Sequence, residues 1–302
     1  MEVNTLHQRS LDYFAARVNA VRQDQWELPT PCTDWTVRDL VNHVTAEDLW
    51  TVPLLDGASI EEVGDRFEGD VLGERATGSA LASIEAAATS MAAHLRRGGT
   101  VQLSFGETPT TEYAMQLAAD HLVHGWDLAV ATDGDATLDA EAVRTIADWF
   151  DGQEELYRGA GAVSARRPVT GDAQHDLLAR FGRDAAWGPN HRTLVRFNAA
   201  FGAADLDAAL ALVTDDVIFE STSPAPDGQR LAGRAAVRTA WAEVMGTAGM
   251  AFTEEESFVS GDRGVVRWNY AWAGSAPGHV RGVDVLRFRD GLICEKFSYV
   301  KG

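Results

Sequence analysis

The chain has 302 residues, with 45 acidic against 26 basic side chains and a formal charge of −19, so its length suits two domains that each bury a core. An excess of this sign repels phosphate backbones and anionic lipid, which argues against nucleic acid and membrane as partners. No apolar run approaches the roughly 18 residues of a membrane span and the amino terminus has no signal-peptide layout, so a soluble, cytoplasmic protein is expected.

A first helix is predicted over about Thr5 to Gln23, with Leu6, Leu11, Phe14, Val18 and Val21 on its core side. Pro29 and Pro31 lead to a second, in which Thr36 serves as N-cap and Asp39 suits the positive helix end. Leu40, Val44 and Trp50 mark its buried side, and it stops near Pro53. His43 sits on or beside that side, where a histidine is commonly a satisfied core residue. Glu47 follows it at i+4 as a fourth ligand or general base. Residues 56–76 are acidic and glycine-rich, a surface loop able to shape a pocket mouth. A third helix runs from about Ser79 to Arg97, ended by Gly98 and Gly99, with His94 in its last turn and no catalytic role. Val101 to Phe105 reads as a short extended segment, and Gly106 to Pro109 as a turn.

Tyr113 to Ala131 reads as a helix, with Met115, Leu117, Leu122, Val123, Leu128 and Val130 near a 3.6-residue period. Advancing about 100° per residue places Asp120, His124 and Asp127 within roughly 60° on one face, with His121 beside them. A carboxylate and an imidazole at i, i+4 can grip one metal ion, because their side chains stack. Two ligands do not make a metal site, and the same spacing suits polar groups that face water or satisfy buried hydrogen bonds. His43 is the best third ligand. A further helix covers about Asp139 to Tyr157, residues 159–173 form a loop, and a last helical piece carries a surface His175.

Gly188-Pro189-Asn190 marks the boundary between domains at 1–187 and 189–302. The first holds 31 acidic and 14 basic side chains, whereas residues 188–302 hold 14 and 12. Two short helices, about 191–203 and 205–213, precede a strand at 217–220 and a helix at 233–246. Strands follow at 250–260, 263–273, 280–289 and 292–300, with Asp290-Gly291 as the hairpin turn of the last pair. Helices first and a curved antiparallel sheet afterwards make an α+β cone. Asp284 alternates with Gly282, Leu286 and Phe288 on the face that points into it. Glu220, Trp241, His279 and Tyr299 are further candidates for its wall.

Cys32 and Cys294 fall in different domains and read as free thiols of a reducing compartment, Cys32 as a small structural residue before its helix. Lys296 and Lys301 are the only lysines beside 24 arginines, a bias that with the alanine and glycine load indicates a GC-rich bacterial genome.

Pro31 to His43, Asp120-His-Leu-Val-His124-Gly-Trp-Asp-Leu-Ala and Leu177 to Trp187 occur in an order that resembles the DinB-like metal-binding family. Within it, the likeness is to the branch containing mycothiol-dependent maleylpyruvate isomerase, over roughly residues 5–187. That resemblance implies an all-α up-and-down helical bundle holding a divalent metal, zinc by preference. His43, Asp120 and His124 would be its ligands, and mycothiol, the main small thiol of actinobacteria, the cosubstrate. The isomerase has Glu where this chain has Asp120, one methylene shorter, which leaves His121 as an alternative middle ligand. Phe197 to Asp207, Asp215 to Phe219, Gly233 to Val237 and Arg281 to Gly291 resemble the SnoaL-like branch of the nuclear-transport-factor-like superfamily. That likeness implies the cone, a pocket for a small apolar ligand, and a dimer formed through this domain. In its cyclases and isomerases an Asp or His acts as acid or base.

The expected function is a metal-dependent thiol enzyme, a mycothiol-dependent S-transferase or isomerase acting on a small electrophile. Glu47, Asp127 and Asp284 are the candidate proton carriers. The alternatives are a metal-dependent hydrolase, and a small-molecule-binding protein whose second domain holds the ligand.

Overall fold

The first helix, α1 (Val3–Ala20), buries Leu6, Leu11, Phe14 and Val18 along one stripe, as its 3.6-residue pattern requires. The computed structural model describes residues 1–274 and 276–301, and the chain divides into two units, Met1–Ala185 and Ala186–Gly302.

In the first unit, α2 (Val37–Leu55) starts at a capping box. Asp39 N donates to Thr36 Oγ1 at 3.2 Å, and Thr36 N donates to Asp39 Oδ2 at 2.9 Å. The acidic stretch beyond it contains a single turn, α3 (Ile60–Val63), and leads to α4 (Ala76–Arg97). Residues 100–109 form a small antiparallel hairpin, β1 (Thr100–Leu103) and β2 (Gly106–Pro109), so the expected turn is itself a strand. The central helix α5 (Thr110–Ala131) follows directly, and every residue from His121 to Ala129 is buried. The helix expected over 139–157 is two pieces, α6 (Ala140–Phe150) and α7 (Glu154–Gly159). Gly152 lies in the break, where it favours interruption over helix. A loop then leads to α8 (Ala173–Arg180), on which His175 is exposed as expected.

Helices α1 and α2 each pack against α4 and α5, giving a four-helix bundle flanked by the shorter helices. Close approach of α1 to α5 depends on Gly125, where an added Cβ would stand 2.5 Å from the Tyr13 ring. Small residues at Ala118, Ala119 and Ala129 are buried on the same helix.

The second unit opens with α9 (Pro189–Gly202), Pro189 occupying its first turn, and α10 (Leu206–Ala211). Strands β3 (Val213–Glu220) and β4 (Arg230–Ala232), helix α11 (Arg234–Met245), then β5 (Ala251–Ser260), β6 (Arg263–Trp272), β7 (Gly278–Arg289) and β8 (Leu292–Val300) complete it. The sheet order is β4-β3-β8-β7-β6-β5, antiparallel except for the parallel neighbours β3 and β8. Register shifts in β3/β8, β5/β6 and β7/β8 bend it, as bulges do. Phe197, Phe201, Trp241, Val266, Leu286 and Ile293 belong to the core between the bent sheet and its helices. Among the described residues no helix is long and apolar enough to cross a membrane.

Candidate metal centre and a second cavity

Two adjacent helices bring the first candidate site together. His43 comes from α2, and Asp120 and His124 from α5, one turn apart. One ligand atom from each lies within 4.8 Å of the other two. His124 Nε2 is 3.4 Å from Asp120 Oδ1, and the His43 and His124 rings are 5.3 Å apart between centroids. Trp35 stands over both, its ring 4.9 Å from that of His43 and 6.0 Å from that of His124.

The other ring nitrogen of His124 is also committed. Nδ1 donates to Asp127 Oδ2 at 3.0 Å, which leaves Nε2 facing Asp120. Asp127 is fully buried and accepts from Arg183 Nη2 at 2.8 Å and from the Cys32 thiol at 3.3 Å. Arg183 Nη2 reaches Cys32 Sγ at 3.3 Å as well. A histidine whose far nitrogen is held by a carboxylate is the usual arrangement for a metal ligand. Cys32, expected to be a small structural residue before its helix, thus belongs to the support of His124. Arg183 carries no signal of this role in the sequence: the residues it serves lie far back in the chain, and only the fold joins them.

Burial opposes the charge on Asp120, yet His124 and His43 outweigh it and hold the carboxyl well below the usual carboxylate range. Burial likewise opposes Asp127, which Arg183 and His124 pull down to about 2. His124 is disfavoured as a cation by burial but raised well above its ordinary value by Asp120 and Asp127. Burial lowers His43. Glu47 is pushed up to about 7 by burial and by the nearby charges of Asp120 and Asp48.

Donor chemistry and an orphaned atom both suit a divalent ion at this place. Two imidazoles and a carboxylate are a common set for zinc, and Asp120 Oδ2 is buried without a hydrogen-bond partner. His121 points elsewhere. Its Nδ1 donates to Leu117 O at 2.8 Å, and Nε2 lies 3.1 Å from Asp48 Oδ1, too misaligned for a hydrogen bond but close enough for charge attraction. Burial opposes protonation of His121, and Asp48 overrides it, raising the imidazole.

The three residues stand on the wall of a cleft of about 990 Å³, shared with Glu47, Cys32, Tyr113, Arg166 and Arg183. Asp127 is not on that wall. It sits behind His124, where it holds the imidazole through Nδ1.

The second unit holds its own cavity, of about 530 Å³, with Trp241 and Asp284 on the wall as expected. Glu220, His279 and Tyr299 are not on it, for a reason of register. The inner face carries Phe219, Val280, Asp284, Lys296 and Ser298, and those three occupy the alternate positions of their strands. Asp284 is buried and already occupied: Lys296 Nζ is 2.7 Å from Oδ2, and Ser298 Oγ donates to Oδ1 at 2.6 Å. Both carboxylate oxygens are thus engaged by neighbours on β8.

Residues 7–129 match the family described as mycothiol maleylpyruvate isomerase N-terminal domain, and residues 194–296 match that described as SnoaL-like domain. An uncharacterized protein of Mycobacterium tuberculosis is 37% identical over 146 residues, which cover 47% of this chain and 74% of that protein. Among solved structures, an NTF2-like protein of unknown function from Mesorhizobium loti is 39% identical, with 38% of this chain and 92% of that chain covered and a TM-score of 0.35. An LEH-like epoxide hydrolase of M. tuberculosis is 19% identical, with 37% and 83% covered and a TM-score of 0.33.

Proposed function

This chain belongs to the mycothiol maleylpyruvate isomerase N-terminal domain family over residues 7–129 and to the SnoaL-like family over 194–296, and on that footing we propose that it is a metal-dependent thiol enzyme. Its reaction is S-transfer or isomerisation of a small electrophile with mycothiol as the thiol. The observation that carries this reading is the convergence of His43, Asp120 and His124 on one wall of the first cleft, with an Asp120 oxygen buried and unpartnered.

His43, Asp120 and His124 would hold the ion, and zinc suits that donor set. A bound divalent cation supplies a positive charge that favours the thiolate form of an incoming thiol, the nucleophilic form. Asp127 and Arg183 fix the ring of His124 from behind. Trp35 covers the two imidazoles on one side and limits the access of water. Glu47, on the same wall and pushed up to about 7, can accept the thiol proton and return it to the product. At about 990 Å³ the cleft has room for a thiol and a small electrophile together. Attack of sulfur on an activated carbon forms a C–S bond while the leaving group departs with the electrons of the bond it breaks. On a conjugated double bond, addition leaves a rotatable single bond, and expulsion of the same sulfur restores the alkene with altered geometry.

Metal analysis of the purified protein, paired with a thiol-transfer screen with and without mycothiol, tests the reading. About one divalent ion per chain is expected, lost in His43→Ala together with mycothiol-dependent turnover. Unchanged metal content in that variant overturns the site, and electrophile consumption that needs no thiol makes the enzyme a hydrolase.

A further inference from the structure

The cavity of the second unit carries a primary amine in a setting built for more than packing. Lys296 is 5% exposed and is the one cation among the described residues of the cavity wall. Asp284 faces Ser298 directly across β7 and β8, and Lys296 lies two residues before Ser298 on the same strand face. The amine thus donates to Ser298 Oγ at 2.9 Å and forms an ion pair with Asp284 Oδ2 at 2.7 Å. Two aromatic rings flank it, with Nζ 5.2 Å from the Phe219 ring centroid and 5.6 Å from that of Phe201. Trp241, Phe252, Trp268 and Tyr270 continue the aromatic wall.

We propose that Lys296 forms an imine with a neutral aromatic aldehyde or ketone held in this cavity. The aromatic wall suits a flat apolar body, and the ammonium is the donor that a carbonyl oxygen would meet. Neutrality follows from Asp284. It already balances Lys296, so a second buried anion would stand uncompensated, whereas a carbonyl adds no charge.

The proton inventory closes with the residues present. Passage of one proton from Nζ to Asp284 Oδ2 frees the amine lone pair for attack. The amine attacks the carbonyl carbon, a C–N bond forms, and the C=O π electrons move to oxygen. A proton shift from nitrogen to that oxygen gives the carbinolamine. Asp284 then returns its proton to the hydroxyl, water leaves, and a protonated imine remains paired with the Asp284 carboxylate. The overall change is ammonium plus carbonyl to iminium plus water, with no oxidant or reductant.

With only two lysines in the chain, the test has an internal reference. The full-length protein is treated with 2-naphthaldehyde and cyanoborohydride, which reduces the imine to a stable secondary amine, and labelled peptides are quantified by mass spectrometry. Lys296 is expected to label at least tenfold faster than the exposed Lys301 and the terminal amine. Excess 2-ethylnaphthalene, which has the apolar body without the carbonyl, should suppress labelling at Lys296 and spare Lys301. Labelling of Lys296 no faster than Lys301, or insensitive to the hydrocarbon, overturns the proposal.

Discussion

Nδ1 of His124 lies 3.0 Å from Oδ2 of Asp127, one turn further along the same helix, with both residues buried. The contact selects which nitrogen of His124 faces Asp120 and His43, and Arg183 holds the carboxylate in place. Asp127→Asn keeps the shape and removes the charge. Divalent-ion affinity, measured by chelator competition on the folded variant, should fall about 10–100-fold. Unchanged affinity would mean that Asp127 serves packing alone.

Asp120 and His121 are neighbours in sequence with opposite surroundings, so their variants should separate metal binding from stability. Asp120→Ala removes an atom buried beside His124 and should cost at least tenfold in ion affinity. His121→Ala should leave most of that affinity but destabilise the bundle by about 3–5 kcal/mol, because Asp48 loses its buried counter-charge. Ion titration and urea denaturation on both variants check the pair, and the reverse ranking would make His121 the middle ligand.

His7 gives the helical unit an acid-labile element. It is buried with Nε2 unpartnered, and burial together with the charge of His121 pushes its pKa down to about 3 from 6.5. The folded state therefore refuses a proton that the unfolded chain accepts. The associated stability is fully present above pH 6.5 and is lost as pH falls from 6.5 towards 3, at about 1.4 kcal/mol per pH unit. Between pH 7 and pH 5 the wild type should lose about 2 kcal/mol more than His7→Gln in the unfolding transition of this unit. Equal losses would clear His7 of the effect.

Gly125→Ala should destabilise the protein although alanine is the better helix former. The new methyl would enter the Tyr13 ring at 2.5 Å, and overpacking costs about 1–3 kcal/mol against about 1 kcal/mol gained in propensity. Tyr13→Ala in the same chain should recover part of the loss. Thermal unfolding of the two single variants and the double variant measures that coupling.

Much of this architecture is legible in the sequence because its signals are local. The Thr36–Asp39 cap, the i, i+4 spacing of Asp120 and His124, and the period-2 strands 280–289 and 292–300 each occupy one short window. Windows fail where burial is complete. Along α5 the face pattern disappears because residues 121–129 are buried on every side, so periodicity alone does not tell which polar group looks into the cleft. His121 and His124 are alike in the sequence and are distinguished by Asp48 and Asp127, one of which comes from another helix. On the strands, His279 and Tyr299 are chemically attractive but one position out of phase with Asp284 and Ser298. Arg183 and Lys296 carry no local signal of a role, because their partners, Asp127 and Asp284, come to them only through folding.

The place of Arg183, two positions before the first unit ends at Ala185, has a consequence for how the molecule is made. A ribosome delivers His43, Asp120 and His124 well before it delivers the guanidinium that locks Asp127 behind them. Until then Asp127 lacks this counter-charge. A nascent chain released just past Ala131 would carry all three donor residues and Asp127, but not the guanidinium that anchors that carboxylate.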